Sequence, residues 1–471
     1  MRKDAVLSIQ GVRQAVADGE LELVQVVRGF LDRIAQTSSL NIYLETWEKE
    51  SLAEAERIQK AIRHGSAGRL AGAVISLKDN LCYRGHRVGA SSKILDGFES
   101  IYTATAVQRL IDEDAILIGR TNCDEFAMGS SNENSAFGPV GLPHDSERVP
   151  GGSSGGAAAS VAAGTCHVGL GSDTGGSIRQ PASFCGIIGL KPTYGRISRY
   201  GLIAYGSSFD QIGPLSHHPS DTQLVYEVMA GHDPMDNTTA QTELHPEGSD
   251  KPIKRIAYLK DCLTHEGLSP EIKEAFQKRV DSLNDSGFQM EAVSFPLLAE
   301  MIPAYYVLTT AEASSNLARF DGIHYGYRSE RSEDIDTTYL YSRSEGFGSE
   351  VKRRILLGTF VLSSGYYDAY YSKAQKVRRL IREATLDIFS EYDLIMTPST
   401  PHVAFERGSV KDPIAMYLED IFTVQANLSG CPAVSLPLDT NGAELPFGTQ
   451  FMAPPFQEDR LFQMMKHLEM S

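Results

Sequence analysis

Hydrophobic positions show two patterns along this chain: a helical spacing and short continuous runs. Near the N-terminus, apolar residues recur every three or four positions over Leu7–Asp18 and Leu21–Ala35, with Gly19 between them. This spacing predicts that the first sixty residues are helical and form an N-terminal arm of about 65 residues. Further on, we predict strands from short apolar runs at Gly72–Leu77, Ala115–Ile118, Cys166–Leu170, Ile187–Leu190, Ile256–Leu259, Asp393–Met396 and Ala433–Leu436. We predict helices at Thr105–Glu113, Ala157–Ala163, Pro270–Leu283, Tyr366–Phe389 and Glu458–Leu468.

Strands that alternate with helices predict an α/β fold with a largely internal sheet. The segment from about Ser216 to Asp250 is polar and predicts a long connection, but nothing in it requires a domain boundary. We therefore predict a single domain over residues 1–471 that begins with the helical arm.

Composition narrows the class of protein. Hydrophobic residues make up 42% of the chain, as in ordinary globular proteins, and the apolar runs are too short to cross a bilayer. No apolar segment follows Met1-Arg2-Lys3-Asp4, so no secretory signal is visible. The six cysteines form no Cys-x-x-Cys pair, which favours reduced thiols in the cytoplasm over a zinc site.

The net charge of −16 bears on possible partners. A protein this acidic does not attract phosphate backbones by itself. If a nucleic acid takes part in the function, we expect another polypeptide to hold it.

Two glycine- and serine-rich segments carry the candidate chemistry: Gly151–Gly156 (GGSSGG) and Gly171–Arg179 (GSDTGGSIR). A flexible linker does not need the Asp, Thr, Ile and Arg of the second segment. Neither segment has the lysine of a phosphate-binding loop, and no Rossmann fingerprint follows a predicted strand. Residues 151–155 match G-x-S-x-G formally, but the polar, proline-ended residues before them do not predict the strand of a nucleophile elbow.

Gly175, Gly176 and Ser177 suit a different role. Successive glycines allow the backbone N–H groups to turn toward one point, because no Cβ obstructs the approach. Such a nest of donors holds an oxyanion, and each donor contributes about 3–4 kcal/mol of transition-state stabilisation. Ser177 ends the nest, which makes its hydroxyl a candidate nucleophile.

A serine nucleophile needs a base. None of the twelve histidines has a recognisable triad spacing, and we expect the His217-His218 doublet to be exposed. Lys78 follows the apolar run Ala71–Leu77 and would serve if burial lowered its pKa. The alternative, a strand-end lysine that reaches solvent, stays open from the residues alone.

Three motifs of this chain resemble those of the amidase signature family: GGSSGG, GSDTGGSIR and the segment Gly189-Leu-Lys-Pro-Thr193. The resemblance implies a central mixed β-sheet covered by helices on both faces. It also implies a relay in which Lys78 is the base, Ser153 passes the proton and Ser177 attacks. The peptide before Ser153 would be cis. The oxyanion nest would be the backbone of Thr174, Gly175, Gly176 and Ser177.

Segments beyond the signature resemble the glutamine-hydrolysing subunits of tRNA-dependent amidotransferases. These segments are residues 119–131, 304–306, 311–319, 350–354 and 365–371. The resemblance implies that the α-carboxylate and α-ammonium of glutamine are held by Arg353 and Asp420, with Tyr305 and Tyr306 nearby and Met128 and Gly129 lining the pocket. Among Lys352, Arg353 and Arg354 the sequence leaves the choice open, and we interpret Lys191 as structural.

The resemblance implies a glutaminase with no cofactor or metal of its own. Its ammonia would pass to a partner that uses ATP and Mg²⁺ to convert Glu-tRNA(Gln) to Gln-tRNA(Gln). This chain would form a heterotrimer with the B and C subunits of such an amidotransferase. Two alternatives remain at this stage: a stand-alone amidase for another small or fatty amide, and a catalytically silent scaffold protein.

Overall fold

The computed structural model describes residues 6–246, 248 and 251–470. The strands are β1 Tyr43–Thr46, β2 Val74–Lys78, β3 Ile116–Thr121, β4 Val168–Asp173, β5 Ile188–Lys191, β6 Gln211–Ser216, β7 Arg255–Leu259, β8 Gln289–Val293, β9 Leu394–Pro398, β10 Ala433–Thr440 and β11 Pro446–Met452. The helices are α1 Ile9–Ala17, α2 Leu23–Gln36, α3 Glu48–Arg63, α4 Thr105–Asp112, α5 Gly155–Ala162, α6 Arg179–Cys185, α7 Pro219–Met229, α8 Lys260–Leu263, α9 Pro270–Asp285, α10 Leu298–Asn316, α11 Ile335–Gly346, α12 Ser349–Leu362, α13 Lys373–Phe389, α14 Pro413–Leu418, α15 Val424–Ser429 and α16 Glu458–Met470.

These eleven strands form one mixed sheet in the order β1-β3-β2-β4-β6-β5-β10-β11-β9-β7-β8. β2 pairs in parallel with both β3 and β4, whereas β6, β5, β10 and β11 make antiparallel pairs. Parallel pairing brings the carboxyl ends of β2 and β4 to the same edge of the sheet. The predicted α/β class is confirmed.

Both faces of the sheet are apolar and covered by helices. In β3, Ile116 and Ile118 pack with residues of α1–α3 and α5, whereas Leu117 packs with residues of α4, α7 and α16. Toward the other edge, α10, α12 and α13 cover the sheet and pack against residues such as Ile395 of β9. Side chains alternate between faces in a strand, so a strand buried on both sides reads as a continuous apolar run, which is how most of these strands were predicted.

Several predictions of local structure are wrong. The predicted all-helical start contains β1, which pairs antiparallel with β3 at the edge of the sheet. The predicted polar connection after Ser216 contains α7, whose buried Val225 and Tyr226 supply a core face. The predicted helix at 366–389 begins as a π-helix at Asp368–Ser372 and becomes α-helical only at Lys373.

The histidine doublet is also not exposed as predicted. His217 and His218 are half-buried, and each ring lies within hydrogen-bonding distance of a backbone carbonyl, of Val161 and Val6 respectively. These contacts tie α5 and the start of the N-terminal arm to the chain that enters α7. Their role is one of packing at that junction.

Candidate active site

Lys78 is the last residue of β2 and is fully buried. Its Nζ lies 2.7 Å from Ser153 Oγ, 2.9 Å from Ser154 Oγ and 3.0 Å from Ser172 Oγ. The sequence left open whether this lysine is buried or reaches solvent, and in the structure it is buried. The apolar strand carries the amine to the carboxyl edge of the sheet, where β4 also ends.

Burial lowers the pKa of Lys78 from its ordinary value of 10.5 to about 8. The charged form loses its hydration inside the protein, and this outweighs the opposing influence of Cys123, Asp124 and Asp173, which raise the pKa. A lysine with this pKa is neutral in a useful fraction of molecules near neutral pH, as a general base requires.

The hydroxyls around Nζ are not equivalent. Ser154 Oγ donates to the carbonyl of Ser172 at 3.0 Å, and Ser172 Oγ accepts from Asn80 Nδ2 at 2.9 Å. Because the proton of Ser154 is already used, its oxygen can only accept from the amine. Neutral Nζ has two N–H groups and one lone pair. If Ser154 and Ser172 accept its two N–H groups, the lone pair faces Ser153.

Ser177 lies beside Lys78 and Ser153, but its side chain makes no direct hydrogen bond to either of them. Its carbonyl accepts from the backbone N–H of Ser154 at 3.2 Å. Among the hydrogen bonds of the described residues, none joins the Ser153 and Ser177 hydroxyls. Catalytic hydrogen bonds are often long in a protein without substrate and tighten in the complex. The peptide between Gly152 and Ser153 is cis, as the resemblance implies.

A buried ion pair holds the loop that leaves β4. Asp173 Oδ1 lies 2.9 Å from Arg179 Nη2, and Asp173 Oδ2 accepts from the N–H of Ile178 at 3.2 Å. Arg179 also donates to the carbonyl of Thr423 at 2.7 Å and to Asn427 Oδ1 at 2.6 Å. The chain from 174 to 177 is therefore clamped at both ends by fully satisfied polar groups.

The two glycines of the nest are required by close approach. A Cβ on Gly175 would lie 2.5 Å from Tyr305 Cζ, and a Cβ on Gly176 would lie 2.2 Å from Thr423 Oγ1. Gly176 also has φ +153°, a conformation that other residues rarely adopt. Thr423 Oγ1 in turn donates to the carbonyl of Gly175 at 2.7 Å, which orients that peptide. Thr174 is held separately, because its hydroxyl donates to Asp210 at 2.6 Å.

A second group of polar side chains orients the loop that carries Ser153. Gln180 Oε1 accepts from the N–H of Gly152 at 2.9 Å, and Gln180 Nε2 donates to the carbonyl of Ser130 at 2.8 Å. Asp124 accepts from the N–H of Asn132 at 2.9 Å, and its own N–H donates to the carbonyl of Ser153 at 3.2 Å. Segment 124–134, which contains Met128 and Gly129, is thereby fastened to the relay.

Two candidate substrate residues, Tyr305 and Asp420, lie directly against the glycines of the nest. Asp420 is buried and accepts from Ser130 Oγ at 2.8 Å. Burial raises the pKa of Asp420 to about 7, although Ser130 and the positive charge of Arg354 oppose the rise. The ring of Tyr306 packs edge-on against Tyr305 at 5.0 Å. Met128 is fully buried in the same apolar cluster as the two tyrosines.

The structure brings Arg354, and not Arg353, to this group. The Arg353 side chain is 50% exposed and pairs with Glu350, whereas the Arg354 side chain is 4% exposed. Arg354 donates to Glu350 Oε1 and to Tyr205 Oη at 2.8 Å each, and its guanidinium lies 5.2 Å from the ring centre of Tyr306. Consecutive helical residues point about 100° apart, so only one of the neighbouring arginines faces inward. Arg353, assigned from the resemblance, keeps a half-exposed side chain in this structure, and its role in substrate binding stays a prediction.

The sequence left Arg354 open as one of three candidate cations, and the structure shows why it is the buried one. Val351, Gly358 and Val361 are buried on the inner face of α12, and position 354 is three residues after the first and four before the second. Sequence reasoning did not find Ser154, Ser172, Asn80, Gln180, Tyr205, Asp210, Tyr417 and Thr423. Ser154, Ser172, Gln180 and Asn80 lie in or beside the motifs, but their contacts depend on the fold. The other four reach the site from distant parts of the chain, as Tyr417 does by stacking on Tyr306 at 3.9 Å between ring centres.

In the described part of the chain, no group of three or more His, Cys, Asp or Glu side chains is arranged to hold a metal ion. No helix among the same residues is long and apolar enough to span a bilayer. Lys191 is buried, and its Nζ donates to the carbonyl of Pro192 at 2.9 Å, away from the relay.

Comparisons with known proteins agree with the geometry. The model of the amidase family matches residues 25–462. The A subunit of glutamyl-tRNA(Gln) amidotransferase from Chlorobium limicola is 47% identical over 468 residues, covering 98% of this chain and 99% of the relative. The corresponding A subunit from Koribacter versatilis is 49% identical, with 98% of each chain covered.

The fold is also similar to that of solved structures. The crystal structure of the A subunit of glutamyl-tRNA(Gln) amidotransferase from Thermotoga maritima aligns with a TM-score of 0.80 and 36% identity, over 98% of this chain and 94% of that chain. Together with the family match along most of the sequence, these likenesses mean that the chain belongs to the amidase family.

Proposed function

We propose that this chain is the glutaminase subunit of a tRNA-dependent amidotransferase. It hydrolyses the side-chain amide of glutamine through an ester on Ser177 and supplies the ammonia to a partner that converts Glu-tRNA(Gln) to Gln-tRNA(Gln). The observation that carries the proposal is the pairing of two buried elements. One is the Lys78–Ser153 contact beside a glycine nest. The other is Asp420, which lies against Gly176 of that nest, together with the cation Arg354, whose charge acts on Asp420.

The chemistry proceeds in balanced steps. Neutral Lys78 takes the proton of Ser153, Ser153 takes that of Ser177, and Ser177 Oγ bonds to the amide carbon of glutamine. The backbone N–H groups of residues 174–177 hold the tetrahedral oxyanion. As the C–N bond breaks, a proton returns along the relay to the leaving nitrogen, and ammonia departs. Water then attacks the ester through the same relay, which releases glutamate and restores Ser177.

The proposed substrate contacts follow from charge. Glutamine carries an α-carboxylate and an α-ammonium, which need opposite partners. Arg354 uses one N–H on Glu350 and one on Tyr205, so the remaining donors of its five are available for a carboxylate. Asp420, once ionised, accepts from the ammonium. In this assignment Arg354 replaces Arg353, and Tyr305, Tyr306, Met128 and Gly129 shape the pocket.

The resemblance further supports a division of labour between chains. We propose that the B and C subunits complete a heterotrimer in which the partner binds Glu-tRNA(Gln) and uses ATP and Mg²⁺. The net charge of −16 supports a chain that leaves the RNA to its partner. The six cysteines are free and buried, which suits a protein of the reducing cytoplasm.

Glutamine hydrolysis by purified variants tests the proposal. Ser177→Ala removes the nucleophile and is expected to lower kcat by more than about 10⁴-fold, as in other serine hydrolases. Ser390→Ala, at an exposed serine far from the relay, serves as the matched control and should keep full activity. Substantial glutaminase activity of Ser177→Ala would contradict the proposal. An enzyme that cleaves other small amides equally well, with or without its partners, would favour the stand-alone amidase.

A further inference from the structure

Helix α12 has two unlike faces. Its inner face buries Glu350, Val351 and Arg354 toward the candidate substrate site. Its outer face carries the exposed cations Lys352 and Arg353 in the first turns, but mainly large apolar side chains after them, where a surface helix normally shows polar ones. Leu356 is 70% exposed and Phe360 is 42% exposed. The exposed apolar and aromatic residues of this helix and the turn after it form what we call the α12 patch: Leu356, Leu357, Phe360, Tyr366, Tyr367 and Tyr370.

Three aromatic members of the α12 patch, Phe360, Tyr366 and Tyr370, are in mutual contact. The ring centres of Phe360 and Tyr366 lie 4.3 Å apart, those of Phe360 and Tyr370 5.8 Å, and those of Tyr366 and Tyr370 6.1 Å. Single exposed apolar residues are ordinary, but a contiguous group marks an interaction surface. Tyrosine and phenylalanine are enriched at the centres of protein interfaces, where they contribute much of the binding energy.

The charges around the α12 patch indicate what kind of molecule covers it. Between residues 352 and 376, the exposed charged side chains are four cations and one carboxylate, although the whole chain has a net charge of −16. The cations are Lys352, Arg353, Lys373 and Lys376, and the carboxylate is Asp368. A symmetric contact with a second copy would set these cations against one another. The patch therefore fits a different polypeptide, with an apolar surface rimmed by carboxylates.

We infer that the α12 patch is the docking surface for the polypeptide that receives the ammonia. This inference rests on the proposed function, because it assumes such a partner. A helix with its side chains is only about 10 Å across, so a partner on the outer face lies close to the inner face that carries Arg354. Docking there shortens the path of ammonia and allows the partner to influence the position of Arg354.

Binding measurements with the purified B and C subunits from the same organism test the inference. The affinity of the wild-type chain is compared with that of the double variant Phe360→Ser/Tyr366→Ser by sedimentation velocity. We expect the double variant to bind at least about 30-fold more weakly, the loss typical of interface centres. Lys376→Glu should also weaken binding, more so at low salt. Leu340→Ser, at a 58% exposed leucine of α11, is the matched control and should bind within about twofold of wild type.

Glutaminase activity of each isolated chain is measured on the same preparations. None of these four side chains belongs to the relay or the substrate site, so basal activity should be unchanged. Suppose that the wild type hydrolyses glutamine and binds its two partners, and that the dissociation constant of the double variant is within threefold of the wild-type value. Only the docking inference is then overturned. If the wild-type chain is a dimer and the double variant is a monomer, the patch binds a second copy of this chain, and the docking inference is overturned as well. A wild type with neither glutaminase activity nor partner binding would overturn the proposed function together with the inference.

Discussion

The pH dependence of glutamine hydrolysis reports directly on Lys78. Burial lowers the pKa of Lys78 from 10.5 to about 8, which corresponds to about 3 kcal/mol in favour of the neutral amine. Only the neutral amine can take a proton from Ser153. Activity is therefore expected to be low in acid and to rise as pH increases through the lowered pKa.

The size of the rise follows from that pKa. With a pKa of about 8, the neutral fraction of Lys78 is about one tenth at pH 7, about half at pH 8 and about nine tenths at pH 9. The turnover number should thus increase about tenfold between pH 7 and 9, but only about twofold between pH 8 and 9. A solvated lysine would give nearly a hundredfold increase over the first interval, with no plateau.

The measurement is the rate of glutamate formation at saturating glutamine from pH 6 to 9.5. Saturation is essential because burial also raises the pKa of Asp420 to about 7, and its ionisation affects binding and therefore kcat/KM. Lys78→Arg is the control, since arginine stays protonated throughout this range. We expect it to lack the rising limb and to lose most activity at every pH.

Two results would refute this reasoning. A kcat that is independent of pH between 6.5 and 9 would mean that no group with the lowered pKa limits turnover. A kcat that still rises tenfold per pH unit above pH 8 would mean that Lys78 keeps its ordinary pKa. Equal pH profiles for the wild type and Lys78→Arg would exclude Lys78 as the base in either case.

Three further predictions concern the surroundings of the relay. Arg354→Gln should raise KM for glutamine by about 30-fold with little change in kcat, whereas Arg353→Gln should leave both within about twofold in steady-state assays. Ser172→Ala removes an acceptor for the charged amine of Lys78, so the rise of kcat with pH should move to lower pH and kcat at high pH should fall. If the rise stays at the same pH, Ser172 has only a structural role. In wild type, kcat/KM should rise through about pH 7 as Asp420 becomes an anion that holds the ammonium. Asp420→Asn should lose that limb and show a higher KM at every pH.

The nest is the feature of the site that the sequence alone predicts most clearly. Residues 174–177 join a run of glycines to a serine, and that local pattern predicts inward N–H groups without knowledge of the rest of the chain. The apolar runs likewise predicted most central strands, because strands buried on both faces need continuous apolar residues. The edge strand β1 is less apolar and was missed. The resemblance added the relay, since no spacing links Lys78 to residues 75 positions away.

The tertiary structure decided what depends on orientation. Three consecutive cations occupy positions 352–354, and α12 has apolar residues on two faces, so the pattern alone could not tell which face turns inward. Packing against α10 settled this and buried Arg354. For Lys78, the sequence showed only an amine after an apolar strand. Its lowered pKa and its contacts arise because β2 and β4 end side by side, where the amine is buried and three hydroxyls surround Nζ.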